Sequence, residues 1–459
     1  MDLFRLKPVE AAPPGERLHR TLGWPHLVAL GVGAIVGTGI LTLIGVGADR
    51  AGPGVILSFA VAGLICAAAA LAYAEMATMI PAAGSAYTYS YAVLGEIIAW
   101  AVGWSLILEY SLVVATVAVG WSGYATGFLA GLGLPVPAAL AAGPALGGVL
   151  NVPAVFIIAV VAGLLMVGTR ESATVNAMLV VIKLVALALF VAVAAPRFDP
   201  ANLHPFMPFG FAKSVTPDGA EKGVMAAAAI IFFAFYGFDA ISTAAEETKD
   251  PGRNLSIGIV GSMLACVVIY MGVALAAVGA LSYTRFADSP EPLALILRGI
   301  DRPGAAAFLA GSAVIALPTV LLGFLYGQSR IFFAMARDGM LPERLARLSS
   351  RGVPVRITLF TAAVVSVVAG LLPIDAIAAL ANAGTLAAFT AVAVCMLVLR
   401  RRAPDADRPF RVPLAPLVGA VAVGGCLYLF WSLPSTTQLY FLGWNVVGLV
   451  IYFATRARA

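Results

Sequence analysis

Apolar residues run along this chain in long blocks separated by short polar connections. Twelve such blocks can be read, at roughly 25–48, 55–80, 95–130, 152–169, 173–195, 223–245, 255–283, 304–334, 355–373, 376–399, 413–434 and 438–455. A helix needs about 20 mostly apolar residues to cross the hydrocarbon core of a bilayer, where lipid offers no partner to a free backbone group. The pattern predicts an all-α integral membrane protein with twelve transmembrane helices, the last two having the softest boundaries. Residues 1–24 form a polar N-terminal segment, and the longest later polar stretches, near 196–222 and 284–303, are expected as external loops. No polar stretch exceeds about 30 residues, too little for a separate soluble domain.

Composition agrees with the pattern. Of 459 residues, 61% are hydrophobic and only 11% charged, where soluble domains carry about 25% charge. Too little charge is present to clothe a water-facing shell, which excludes a cytosolic enzyme, a disordered chain and a disulfide-stapled secreted scaffold. Cys66, Cys266, Cys395 and Cys426 all sit inside apolar runs and read as small packing residues. No metal site is expected, and no histidine pair, nucleophile elbow or phosphate loop points to an enzyme. The apolar runs are too long and too often repeated for a cleaved signal peptide.

Charge then sets direction. The pI of about 9.1 does not reflect a nucleic-acid partner, because the cations follow the loops. With the N-terminus inside, the cytoplasmic segments hold 20 Lys and Arg against 7 in the external ones. The positive-inside rule places both termini in the cytoplasm. Lys183 alone falls within a span.

Two spans carry signs of interruption. The first contains Gly31-Val-Gly33-Ala-Ile35-Val-Gly37-Thr38-Gly39-Ile40, four glycines in nine residues, each costing about 1 kcal/mol against alanine in a helix. A small-residue packing face would explain part of this. Gly37 and Gly39 lie two apart and point to different faces, which suits local unwinding. The sixth span contains Phe232-Phe233-Ala-Phe235-Tyr236-Gly237-Phe238-Asp239. A carboxylate at that depth costs about 2.5–3.5 kcal/mol on insertion scales, and a break at Gly237 supplies free amides as company. Spans one and six each begin a group of five, and interrupted helices at matching positions point to an inverted-repeat transporter with a midplane site. Unwinding bares amides at one half-helix and carbonyls at the other, each end carrying about half a unit charge. An α-amino acid, with carboxylate and ammonium close together, fits both poles. The amides of Thr38, Gly39 and Ile40 suit its carboxylate, and the carbonyls of Ile35, Phe233 and Tyr236 its ammonium. Phe235 and Tyr236 are expected to close over it.

These residues also carry a resemblance. Gly37-Thr38-Gly39 and Phe235-Tyr236-Gly237-Phe238-Asp239 are similar to segments of the amino acid–polyamine–organocation superfamily. So are Pro81-Ala-Ala-Gly84-Ser85-Ala-Tyr87-Thr-Tyr89, Glu246-Glu247-Thr-Lys249-Asp250-Pro251-Gly-Arg253-Asn254, Ala334-Met-Ala-Arg337-Asp338-Gly339-Met-Leu-Pro342 and Arg408-Pro409-Phe410-Arg411-Val-Pro413. The chain most resembles the cationic amino acid transporter family and its bacterial homologues. The resemblance implies a five-plus-five inverted repeat, with discontinuous helices one and six, at 25–195 and 223–399. Two peripheral helices and a cytoplasmic C-terminus would occupy 400–459. It implies a permease for free L-amino acids in the bacterial inner membrane, without an organic cofactor and with the proton as coupling ion. Exchange of amino acids or polyamines is the alternative, and a membrane amino acid sensor a weaker one. Whether a small single-span helper protein or a sterol binds the periphery stays open.

Charged residues inside the spans complete the candidate site. Lys183, about ten residues into span five, is too deep to reach an interface easily. It is either a packing lysine paired with carbonyls or a coupling residue. In the resemblance its ammonium stands where sodium-coupled relatives bind their ion and would bridge span five to the carbonyls of span one and to span eight. Glu109 shares a helical face with Ser105 and Thr116 and is either a packing carboxylate or, as the resemblance implies, a neighbour of the substrate side chain and of proton movement. In the resemblance, Phe324 in span eight stands where family members that prefer long cationic side chains are expected to place something small. There it would shorten the pocket toward alanine-sized or other modest neutral substrates, unless it is ordinary packing. Glu75 near the inner end of span two reads as structural or gating rather than as a substrate contact, and Asp239 at the span-six break as structural rather than ligating. Glu96 and Trp100 read as interface anchors.

Overall fold

The computed structural model describes residues 5–7, 22–81, 84–167, 173–217, 219–245, 248–342 and 355–456. Glu246 and Glu247 of the motifs, and Arg17, Arg20, Arg170, Arg344, Arg347, Arg351 and Arg458 of the cytoplasmic charge count, lie outside them. Helix follows the apolar blocks closely. The first block divides into α1 (Trp24–Ile35), α2 (Thr38–Leu41) and α3 (Leu43–Ala51). The chain continues through α4 (Val55–Met79), α5 (Ser85–Val93), α6 (Glu96–Gly131), the short α7 (Ala138–Ala141), α8 (Val152–Val167) and α9 (Ala173–Ala194). The sixth block is α10 (Val224–Ile231), a 3-10 turn at Phe232–Ala234, and α11 (Asp239–Thr243). Then come α12 (Pro251–Ala280), α13 (Pro292–Gly299), α14 (Pro303–Arg337), α15 (Val355–Leu371), α16 (Ile374–Arg402), α17 (Ala415–Ser432) and α18 (Ser435–Arg456). Proline opens α12, α13 and α14, where its missing N–H has no helical partner to lose.

Among the described residues nine helical stretches are long and apolar enough to cross a membrane, and three shorter apolar helices, α1, α8 and α15, fall on the first, fourth and ninth expected spans. At about 1.5 Å per residue, α6 and α14 are each over 50 Å long, well beyond the roughly 30 Å of a hydrocarbon core. The two expected external loops are more ordered than the sequence reading allows. Residues 196–222 contain a small antiparallel pair, β1 (Ser214–Val215) with β2 (Glu221–Lys222). The stretch 284–303 contains α13, whose Leu293, Ala294, Ile296 and Leu297 are buried. Two amphipathic turns were hidden there by the charges around them.

The core is densest around α10, every residue of which is buried. By contrast α17 and α18 expose Leu417, Leu427, Trp431, Leu439, Tyr440 and Val450, a surface suited to lipid. α18 is held to α6 by Trp104 and Trp444, which donate their indole N–H groups to each other's backbone carbonyls at 2.8 and 3.0 Å, by the Trp100 indole on the Gly448 carbonyl at 2.9 Å and by the Tyr452 hydroxyl on Glu96 at 2.9 Å.

One end of the bundle, here termed the basic end, gathers α4, α14 and α16 where they finish and α6 where it starts. Lys7 meets Asp338 at 2.6 Å, and the Tyr87 hydroxyl donates to the same carboxylate at 2.9 Å. Glu75, fully buried, accepts from Arg400 Nε and from the Val412 amide, both at 2.8 Å, with Arg408 Nε 3.4 Å away. Three of the motif segments, around Tyr87, Asp338 and Arg408, are thus fastened to the helix ends. The opposite end is tied by Lys222 to Asp49 at 2.7 Å and Arg50 to Asp375 at 3.3 Å.

Candidate functional site

Both interruptions are present. Helix α1 ends at Ile35, Gly37 leaves the helical region, and α2 makes its first bond from the Leu41 amide to the Gly37 carbonyl. The amides of Thr38, Gly39 and Ile40 therefore precede the first closed turn and are its orphan donors. A second irregularity at Thr42 separates α2 from α3, so span one is broken twice. In the sixth span the 3-10 turn gives way at Phe235, and Gly237 adopts φ +117°, a region that side chains avoid. Asp239 brackets this break: its Oδ1 accepts from the Gly237 amide at 3.1 Å and its Oδ2 from the Tyr110 hydroxyl at 3.0 Å.

The two broken segments cross in contact, through glycine on each side. A Cβ on Gly39 would stand 2.3 Å from Ala234 Cα, and one on Gly237 would stand 2.9 Å from the Ala34 carbonyl carbon. The glycines thus permit both unwinding and close approach. At the crossing lies a narrow cavity lined by Ala34, Ile35, Gly37, Thr38, Gly39, Val113, Val117, Phe233, Tyr236, Val320 and Phe324. It has room for about one water. Thr38 Oγ1 is buried without a partner. The side-chain lining from α6 and α14 is apolar throughout.

Toward the end opposite the basic one, the Tyr124 hydroxyl donates to the Leu41 carbonyl at 2.6 Å and Gly120 packs on Thr38. Further out, Pro290 and Glu291 lie against Gly123 and Gly127 of α6. Burial pushes the Glu291 carboxyl up from its ordinary range, and Arg298 pulls it back.

The structure brings together most of the residues expected from sequence. Thr38, Gly39, Phe233, Tyr236 and Phe324 line the cavity, with the Phe324 ring 5.2 Å from Tyr110 and 6.4 Å from Tyr236. Three placements differ from expectation. Phe235 does not face the cavity. It turns into the core, its ring 6.0 Å from Phe59 and 5.2 Å from Tyr270, because the 3-10 turn rotates successive side chains by about 120°. The Ile35 carbonyl already accepts the Tyr270 hydroxyl at 2.8 Å, leaving one lone pair. Glu109 lies one turn from Val113, behind the lining and against Gly384 of α16.

Lys183 donates to the Gly33 carbonyl at 3.0 Å, with Thr319 Oγ1 of α14 at 3.5 Å. It therefore joins α9 to span one and to α14. Val113, Val117 and Val320 were not singled out from sequence. The first two follow Glu109 at intervals of four, so helical spacing from an intramembrane carboxylate was the available signal.

Comparison with known proteins adds the following. The profile of a family described as amino acid permease matches residues 22–455. The branched-chain amino acid permease BcaP of Bacillus subtilis (strain 168) is 44% identical, covering 98% of this chain and 97% of its own. The methylthioribose transporter of the same organism is 41% identical with the same coverage. Cationic amino acid transporter 2, vacuolar, of Arabidopsis thaliana is 38% identical over 92% of this chain and 66% of its own.

Proposed function

The chain belongs to the amino acid permease family, whose members are transporters rather than enzymes, and we propose that it carries neutral aliphatic L-amino acids across the bacterial inner membrane. In this reading twelve helices form a five-plus-five inverted repeat with two peripheral helices and cytoplasmic termini. The three short apolar helices at the expected first, fourth and ninth spans support that count.

The observation that carries the reading is the cavity at the crossing of the two broken segments. Thr38, Gly39, Phe233 and Tyr236 line it, so we take the amides of Thr38–Ile40 and the carbonyls of Phe233 and Tyr236 as its poles, and its side-chain end is Val113, Val117, Val320 and Phe324. Such a lining takes a small or branched apolar side chain and offers a cationic one no partner. The name of the branched-chain relative accords with this. Since the cavity holds about one water, substrate entry requires the lining to part, as alternating access demands.

Proton coupling is assigned to Lys183. As an ammonium it ties α9 to Gly33 in the first half of span one. Loss of its proton removes the charge that holds this contact and frees the segment to move. Lys183→Met should then abolish accumulation driven by a pH gradient in proteoliposomes, and unchanged gradient-driven uptake would reject the coupling.

Thermal stabilisation of the purified protein by each of the twenty amino acids and by methylthioribose tests the substrate. Leucine, isoleucine, valine and alanine are expected to stabilise it. Stabilisation by methylthioribose alone, which lacks the paired charges of an amino acid, would overturn the reading. Net uptake against counterflow separates symport from exchange.

A further inference from the structure

Lys183 holds the broken span one from a neighbouring helix, and the broken span six is held in the same manner by a residue that sequence did not single out. Asn382 of α16 is 0% exposed. Its Nδ2 donates to the Ala229 carbonyl at 2.7 Å and to the Ile230 carbonyl at 2.9 Å. Both carbonyls belong to the last turn of α10, where a helix runs short of its own donors. An asparagine amide has two N–H donors, and here both meet one helix end. The Gly33 carbonyl that Lys183 holds lies likewise in the last turn of α1.

The positions repeat along the chain as well. Asn382 follows Lys183 by about 200 residues, as Gly237 follows Gly37 and as Ala229 and Ile230 follow Gly33, the spacing expected of an internal repeat. Each donor stands about ten residues into its own helix, α9 or α16. The two contacts sit on half-helices that enter from opposite ends. Span one starts at the basic end, whereas α10 starts beside Lys222 and Asp49 at the other.

Chemistry separates the pair. A lysine loses its hold with its proton, but an asparagine amide carries no proton to lose in the working pH range. Asn382 Oδ1 is also buried without a hydrogen-bond partner. Buried acceptors are nearly always met, and leaving one unmet is a cost carried by this closed conformation. Parting of α10 from α16 breaks the two bonds to the carbonyls and lets water reach Oδ1, so the contact is poised between two arrangements. At the first turn of α10 the Ser58 hydroxyl donates to the Val224 carbonyl at 2.8 Å. Beyond its last turn Phe232 packs edge-on against Phe389 of α16 at 5.7 Å.

We propose that Asn382 is a positioning residue for transport. It fastens the half of span six remote from the basic end to α16 in the closed state and releases it when the cavity opens toward that end, without a part in proton coupling. The inference rests on the reading of the chain as an inverted-repeat permease and deepens it. Lys183 governs the half-helix on the basic side and Asn382 the half-helix on the other.

Hydrogen–deuterium exchange of the full chain in proteoliposomes, followed by mass spectrometry on peptides from α1, α10 and α12, tests it, because exchange reports local opening. In Asn382→Leu the loss of two neutral hydrogen bonds should raise exchange in α10 by about 5- to 30-fold and leave α1 and α12 at parent rates. Asn382→Ser keeps one hydroxyl donor and should give a smaller rise in the same place, which serves where the leucine variant does not fold. Lys183→Met should do the reverse, loosening α1 and sparing α10. Leucine accumulation driven by a pH gradient should reach the parent ratio in the Asn382 variants at a lower initial rate. Unchanged protection of α10, a rise spread equally over α1, α10 and α12, or loss of accumulation with counterflow retained overturns the proposal. Unchanged protection of α1 in Lys183→Met removes the Lys183 coupling instead, and absence of counterflow by the unmodified protein removes the permease reading.

Discussion

Gly39→Ala is the sharpest test of the crossing. The added Cβ would fall 2.3 Å from Ala234 Cα and 2.6 Å from Ala234 Cβ, where carbon atoms rest at about 3.5–4.0 Å. Both neighbours are fixed to the 3-10 turn of span six, so no side chain can swing aside and the two segments must separate by more than about 1 Å. Overpacking of this kind costs about 1–3 kcal/mol. The cost falls on the closed conformation, in which α2 and the turn touch, and it is relieved when they part. A closed state disfavoured by that amount is populated about 5–150-fold less. The same shift displaces the Thr38, Gly39 and Ile40 amides from the carbonyls across the cavity. Labelled-leucine counterflow in proteoliposomes, with melting temperature as the control for folding, should show half-saturation raised and turnover lowered. A well-folded Gly39→Ala protein with transport indistinguishable from the parent would refute a midplane site at this crossing.

Two further outcomes follow from the same geometry. Phe324→Ser opens the α14 side of the cavity beside Tyr110 and Tyr236, so leucine should weaken by about 1–3 kcal/mol while arginine gains. A thermal-shift titration showing no gain for arginine would remove Phe324 as a size filter. Arg400→Met strips the buried Glu75 of its closest side-chain partner and should lower stability by about 3 kcal/mol; an unaltered melting temperature would mean that Arg408 and the Val412 amide suffice.

What was legible in the sequence is what depends on local chemistry. Apolar blocks must become helices in lipid, and the glycine pair Gly37–Gly39 and the single Gly237 before Asp239 weaken a helix wherever it lies. A lysine ten residues into a span must find a carbonyl, and the Gly33 oxygen meets it. What could not be read there concerns direction after the helical period has lapsed. Phe235 and Tyr236 are neighbours, yet one ring enters the core beside Phe59 and the other lines the cavity, because a 3-10 turn and a left-handed glycine reset the rotation. Periodicity set Glu109 and Thr116 on one face, but whether that face met substrate or α16 was decided by Gly384, which lets α16 close on it. The claim of Tyr270 on the Ile35 carbonyl is likewise tertiary, since 235 residues separate them. Sequence by itself determined that this chain crosses a membrane with two broken helices; only the packed structure decided which atoms those breaks leave free, because each free pole is whatever a distant side chain has not already bound.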